Sequence, residues 1–248
     1  MKVIVDGLVT EYLRTGRADA PVVLLLPGWM SRAQNFAQLI EKLQRDYDVV
    51  TLNFPGFGVT ENPPRSWSVQ DYTDFTEKFI GKIGVKKIYA IVGHSFGGRV
   101  MLKGCASGQL HAAKLIFMGA AGVKPHVSMR SKIVKTSVKL SRVLPAGWRA
   151  KLSDKFSSDD YKNLRNNPVM RDTFKKVVDE DLTPLMPEVK SPSLLIWGRD
   201  DDQTPIAMAE VFAKNLPNAD LKIIDNAGHY AFLDRPEEVA RLVKEYLK

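Results

Sequence analysis

Six short stretches of the chain are apolar almost without a break: Val22–Gly28, Val49–Gly56, Ile88–His94, Lys114–Gly122, Ser193–Asp200 and Leu221–Gly228. Each ends in glycine or a polar turn. Unbroken rather than alternating hydrophobicity is what a strand buried on both faces requires, so the six predict a parallel sheet. Ahead of them, VIVDGLVTEYLRTG alternates about Asp6-Gly7, the signature of an antiparallel hairpin. Between the runs lie segments of helical period: FAQLIEKL, VQDYTDFTEKFIGKI, GRVMLKGCA, AMAEVFAKNL and the closing EEVARLVKEYL. Strand and helix alternate, which predicts an α/β fold with a mostly parallel, doubly wound sheet and right-handed crossovers.

The alternation lapses once, between about residues 123 and 190, where a long polar and mainly helical stretch separates two strands. A connection of that length reads as an inserted helical cap rather than a loop. The expected organisation is therefore a core of residues 1–122 and 191–248 with a cap of residues 123–190. Within the insertion, Ile133, Leu140 and Val143 or Leu144 fall at helical spacing opposite Lys132, Lys135, Lys139 and Arg142.

Charge sharpens this picture. The formal net charge is +8, and the eight Lys and Arg residues between Gly122 and Leu152, with no Asp or Glu among them, equal the whole excess. A basic amphipathic helix can lie on an anionic membrane, but such a charge run is more often a solvated face. Membrane association is not expected, and nucleic-acid binding is not expected either, since no recognised module is present. The 248 residues, 44% hydrophobic, suffice for one substantial domain. The opening MKVIVDGLVT lacks the apolar run of an export signal, and Cys105 is the only cysteine; both fit a reducing cytoplasm.

The candidate chemistry begins at Gly93-His94-Ser95-Phe96-Gly97, a G-x-S-x-G placed directly after a strand and before a helix. There the glycines permit a sharp turn that presents Ser95 at the carboxyl edge of the sheet, where ligands of open α/β folds bind. A serine N-cap in a glycine-rich turn is the plainer alternative. A serine hydroxyl needs a base, and the base an orienting carboxylate. Of the four histidines, His94 adjoins Ser95 with its ring expected to point away, His111 follows a helix, and His126 opens the cap. His229 follows the last strand and is the natural base. Asp200, Asp201 and Asp202 all follow the strand SLLIW, and proximity does not choose among them. The order Ser, Asp, His is that of one hydrolase fold rather than of chymotrypsin or subtilisin.

Taken together, GHSFGG, WGRDDDQTP and AGHYAFLDRPEEV resemble the α/β-hydrolase family, and the similarity runs from LLLPGW to the last helix. The resemblance implies the α/β-hydrolase fold with a helical cap and selects Asp201 as the acid. It also implies an oxyanion hole made by the backbone N–H of Trp29 together with that of Phe96, the residue after the nucleophile. Two departures stand out: the family's His-Gly pair before Trp29 is here Pro27-Gly28, and the family's entrance-loop Asp and Ser are Asn53 and Thr60.

These readings converge on a serine hydrolase that cleaves a carboxylic ester of a small or medium apolar acyl compound through Ser95, His229 and Asp201. No cofactor and no metal are implied. The substrate pocket is expected to include Trp29 and, from the cap, Met129, Leu144, Trp148 and Tyr161, with Phe156 and Met170 also available. Ser95 argues against dehalogenase or epoxide hydrolase chemistry, which uses a carboxylate at that position. Carbon–carbon, amide or perhydrolysis chemistry on the same three residues, and a non-catalytic binding protein on this scaffold, are the alternatives.

Overall fold

The computed structural model describes residues 1–124, 164 and 166–248. Its centre is an eight-stranded sheet of order β1-β2-β4-β3-β5-β6-β7-β8. The strands are β1 (Lys2–Val5), β2 (Leu8–Gly16), β3 (Val22–Leu26), β4 (Asp48–Leu52), β5 (Ile88–His94), β6 (Ala112–Met118), β7 (Ser193–Gly198) and β8 (Ala219–Ile224). The first two form the antiparallel hairpin, with Asp6 at φ 48° and Gly7 at φ 80° supplying the left-handed turn. β2 pairs antiparallel with β4, and β3 to β8 run parallel.

The inner parallel strands are largely apolar because both of their faces are covered, whereas the edge strand β8, expected to be buried on both faces, alternates and exposes Asp220 and Lys222. Leu24, Leu26, Ile91, Leu115, Phe117, Leu195 and Trp197 point to one face. There they pack with α2 (Val69–Lys82), α3 (Phe96–Ala106) and α5 (Ile206–Asn215). Their chain neighbours Val23, Leu25, Val92, Ile116, Leu194 and Ile196 point to the other face, against α1 (Ala37–Leu43) and α6 (Pro236–Leu247). Successive side chains of a strand face opposite ways, so a run such as VVLLL feeds two cores at once. α2 begins where Ser68 and Asp71 cap each other reciprocally, the Ser68 N–H donating to Asp71 Oδ2 at 2.7 Å.

After β3 the chain adds β4 on one side, then crosses by α2 to add β5 on the other. The loops leaving β3 and β5 therefore diverge at this switch point and leave a crevice at the carboxyl edge. The helix α4 (Pro168–Asp179) and a following turn over Thr183–Glu188 lie within the expected cap range. Met170, Val177, Leu182, Met186 and Val189 of that stretch join the buried cluster on the α2–α3 face, and Leu182 N–H donates to Gly122 O at 2.8 Å. Among the described residues, no helix is long and apolar enough to cross a membrane.

Candidate active site

Ser95 stands between β5 and α3 with φ 48° and ψ −112°. A serine at positive φ costs roughly 1–3 kcal/mol and persists only where its surroundings fix it. Here they do: its N–H donates to Met118 O at 3.1 Å, and its carbonyl accepts from Gly98 and Ala121, both at 3.0 Å. The helix can start this close to the sheet only because Gly97 lacks a side chain, since a Cβ there would meet Leu26 O at 2.0 Å. The expectation of a sharp elbow at Ser95 is thus met by the backbone. Ser95 does occupy the N-cap position of α3, but its side chain makes no capping bond to the helix.

His229 follows β8, and Asp201 follows β7. The loops bring them together as a buried pair, Nδ1 to Oδ2 at 2.9 Å. Of the three consecutive aspartates only Asp201 is buried; Asp200 and Asp202 face solvent. Its second oxygen, Oδ1, accepts the backbone N–H groups of Gln203 at 2.9 Å and Thr204 at 2.8 Å. Burial alone would push the Asp201 carboxyl up, but the hydrogen bond and charge of His229, with those from Thr204, outweigh it and hold it below the usual carboxylate value. The carboxylate is thereby kept ionised and aimed at the imidazole. Among the described residues the Ser95 hydroxyl has no hydrogen-bond partner, His229 included. Nucleophile–base bonds are often loose without substrate and tighten in the complex.

Two further side chains belong to this arrangement: Thr204, which carried no signal in the sequence, and His94, which the sequence marked only as the neighbour of Ser95. Thr204 Oγ1 lies 2.8 Å from Asp201 Oδ2, 3.0 Å from Gly119 O and 3.3 Å from His229 Nδ1, so one hydroxyl knits the Asp201 loop to the end of β6 and to His229. His94 is fully buried with its ring 4.8 Å from that of His229, and its Nε2 lies 3.0 Å from His229 O. Its ring lies against those of His229, Tyr230 and Phe232 and so anchors the histidine loop. Burial and the neighbouring His229 push its imidazole down to about 3, so it is neutral at ordinary pH. In that form one ring nitrogen donates to His229 O and the other, Nδ1, lacks a partner. Gly28 makes room for this ring, because a Cβ there would come within 2.8 Å of His94 Nδ1.

Trp29 follows β3 in a turn closed by Ser31 N–H to Gly28 O at 3.1 Å. Phe96 is the first residue of α3, so its N–H has no partner within the helix. The two rings meet edge to face, 5.4 Å apart. Asn53 steadies the Trp29 loop: its Oδ1 accepts Ala33 N–H at 2.7 Å, its amide donates to Glu11, and Thr60 Oγ1 donates to its carbonyl at 2.9 Å. Asn53 and Thr60 thus fasten loops together, consistent with a structural duty.

A cavity of about 320 Å³ opens beside Ser95. Trp29 and Phe96 form one side, Phe174, Val177 and Val178 of α4 another, and Thr204 and Met208 a third. Arg99 also lines it, one turn along α3 from Ser95. Met170 is fully buried outside this wall, against Gly56. Met129, Leu144, Trp148, Phe156 and Tyr161 lie outside the described residues, as does His126. A larger cavity of about 580 Å³ lies at the amino edge of the sheet, bounded by Ile88, Leu110, Ala112 and Val189, and holds none of the candidate catalytic residues.

Comparison with known proteins agrees with this architecture. The model of the alpha/beta hydrolase family matches residues 23–242. The uncharacterized hydrolase YugF of Bacillus subtilis (strain 168) is 25% identical, with 98% of this chain and 96% of that protein aligned. The monoacylglycerol lipase abhd6-B of Xenopus laevis is 23% identical over 92% of this chain and 76% of its own. Among solved structures, a bacterial membrane phospholipase A superposes with a TM-score of 0.80 at 24% identity, covering 100% of this chain and 84% of that one.

Proposed function

The chain belongs to the alpha/beta hydrolase family, and from the geometry at its sheet edge we propose that it is a serine hydrolase acting on a carboxylic ester of a small or medium, largely apolar acyl compound. In this reading Ser95 Oγ attacks the ester carbonyl while His229 Nε2 accepts its proton. Asp201 keeps the opposite ring nitrogen protonated and stabilises the imidazolium that forms. The tetrahedral oxyanion is met by the N–H groups of Phe96 and Trp29, each contributing roughly 3–4 kcal/mol to the transition state. His229 returns the proton to the departing alkoxide, an acyl-enzyme remains on Ser95, and water attacks it by the same relay in reverse.

The observation that carries the proposal is the buried Asp201–His229 pair at 2.9 Å on the same sheet edge as a serine held at φ 48°. A structural ion pair would have no need of a strained serine nearby, and strain of that kind gathers at functional sites. The apolar walls given by Phe174, Val177 and Val178 suit an ester more than a charged peptide. The hydrolase and lipase names of relatives between 22% and 26% identical point the same way. Expected acylation of Ser95 is checked with a fluorophosphonate probe and a series of p-nitrophenyl esters from two to eight carbons. The wild-type protein should take up one label per chain at Ser95 and hydrolyse the shorter esters, and Ser95→Ala should lose both, with kcat falling roughly 10⁵–10⁶-fold. A folded protein that is never labelled would favour the binding-protein alternative.

A further inference from the structure

Arg99 is only 5% exposed, yet it forms part of the wall of the cavity that holds Ser95. It projects from α3 four residues beyond the serine, hence on the same side of the helix about 6 Å along its axis. Its Nη1 donates to Glu180 O, at the end of α4, at 2.8 Å. That is its one hydrogen bond among the described residues, and no carboxylate there pairs with it. The two nearest acids are engaged elsewhere: Glu180 binds Lys103, and Asp181 Oδ1 accepts from the N–H and hydroxyl of Thr183.

A guanidinium has five N–H donors in a planar fork, so most of this one is left without a partner among the described residues. The open space that Arg99 borders is the Ser95 cavity. Burial lowers the group to about 10, which leaves it charged at neutral pH. A strut between α3 and α4 would need one neutral donor. The charges of Glu180 and Asp181 offset part of this burial, but a buried guanidinium hydrogen-bonded to one carbonyl stays costly unless a further anion completes it.

We infer that the substrate of the Ser95 site carries a carboxylate remote from its scissile ester, and that Arg99 receives it through the free edge of its guanidinium. The inference rests on the serine hydrolase reading and narrows it. The apolar side chains of α4 contact the chain between ester and carboxylate, while Arg99 fixes its far end and so sets the distance to Ser95. Bidentate Arg–carboxylate pairing gives both strength and register, and the net charge of +8 favours the approach of such anions.

The test compares two matched pairs of esters. p-Nitrophenyl hydrogen glutarate against p-nitrophenyl valerate places the carboxylate on the acyl side, and 4-acetoxybutyrate against butyl acetate places it on the alcohol side. The wild-type protein should favour the anionic member of at least one pair by tenfold or more in kcat/KM. Arg99→Met should erase that preference, and Arg99→Lys should restore part of it. Arg99→Gln, which keeps a donor for Glu180 O, should also erase it, and serves if the methionine variant does not fold. Titration of glutarate into Ser95→Ala by calorimetry, with and without Arg99→Gln, reads the anion site without turnover, and Kd should rise at least tenfold with the second change. Esters hydrolysed with no anionic preference, or a preference unchanged by Arg99→Gln, overturn the inference and leave the hydrolase reading standing. Glutarate binding that depends on Arg99 in a protein that cleaves no ester supports the anion site and removes the hydrolase reading.

Discussion

At the carboxyl edge of the sheet a cavity of about 320 Å³ gathers Ser95, Thr204 and Arg99 beside the Asp201–His229 pair; at the amino edge a cavity of about 580 Å³ gathers Lys86, Lys87, His111 and Lys190 around Ile88 and Leu110. The larger one has more titratable groups, but those side chains lie in solvent. Among its lining residues, Cys105 has a thiol that burial pushes up to about 12, far from the thiolate that reactivity requires, and the Ser191 hydroxyl donates to Ala112 O. The smaller one holds its groups under constraint: a serine at positive φ, a carboxylate given two backbone N–H groups, a guanidinium without a carboxylate. Volume is generated wherever loops leave gaps. Converging buried polar groups are expensive, and of these two cavities the smaller is the one lined by them.

The largest expected effect tests whether the constrained end is a working unit. Asp201→Asn preserves shape but lets the amide donate to His229 Nδ1, which favours the tautomer that cannot accept the serine proton at Nε2. Ester kcat should fall roughly 10⁴-fold, with the thermal midpoint measured beside it. A loss of less than tenfold in a folded protein would mean that Asp201 only braces its loop through Gln203 and Thr204. The same substitution at exposed Asp200 should leave turnover near the wild-type rate.

A smaller effect separates the two ends by pH. His94 belongs to the constrained end, and its imidazole lies near 3 when folded against about 6.5 in an unfolded chain. Below about pH 6.5 the unfolded state takes up a proton that the folded state refuses, so stability is full above that value and is lost as pH falls toward 3. The slope from this group approaches about 1.4 kcal/mol per pH unit. Denaturant midpoints between pH 7 and 4.5 should therefore fall in the wild-type protein and level out in His94→Asn. This window lies above that of the ordinary carboxylates. Midpoints that fall equally in both proteins would place the acid sensitivity elsewhere.

How much of this could be read from the residues depends on where each partner lies. β3 to β7 were legible because burial on two faces leaves a one-dimensional trace, an apolar run closed by a turn; β8 is an alternating edge strand. The elbow at Ser95 was legible because strand, glycines and helix are contiguous. Asp201 was not separable from Asp200 and Asp202 by composition, since all three stand in one turn and only burial under the His229 loop distinguishes them. The contacts of Thr204, His94 and Arg99 were silent for another reason: each takes part through a main-chain carbonyl, of Gly119, His229 and Glu180. Those carbonyls are 85, 135 and 81 residues away. A carbonyl has no residue type, so no spacing in the chain announces it.

The smallest expected effect is the one most able to break the contrast between the two cavities. Lys87→Ala and His111→Ala remove a charge and a ring from the amino-edge cavity, at positions facing solvent and without contact to Ser95, Asp201 or His229. Exposed substitutions of this kind alter stability by about 0.5 kcal/mol or less. With no shared partner they should also leave ester kcat/KM within about twofold of wild type, since distant sites act independently. A tenfold change in kcat/KM in either variant, at unchanged thermal midpoint, would show the two ends of the sheet to be coupled. The amino-edge cavity would then be an effector site rather than a gap between loops.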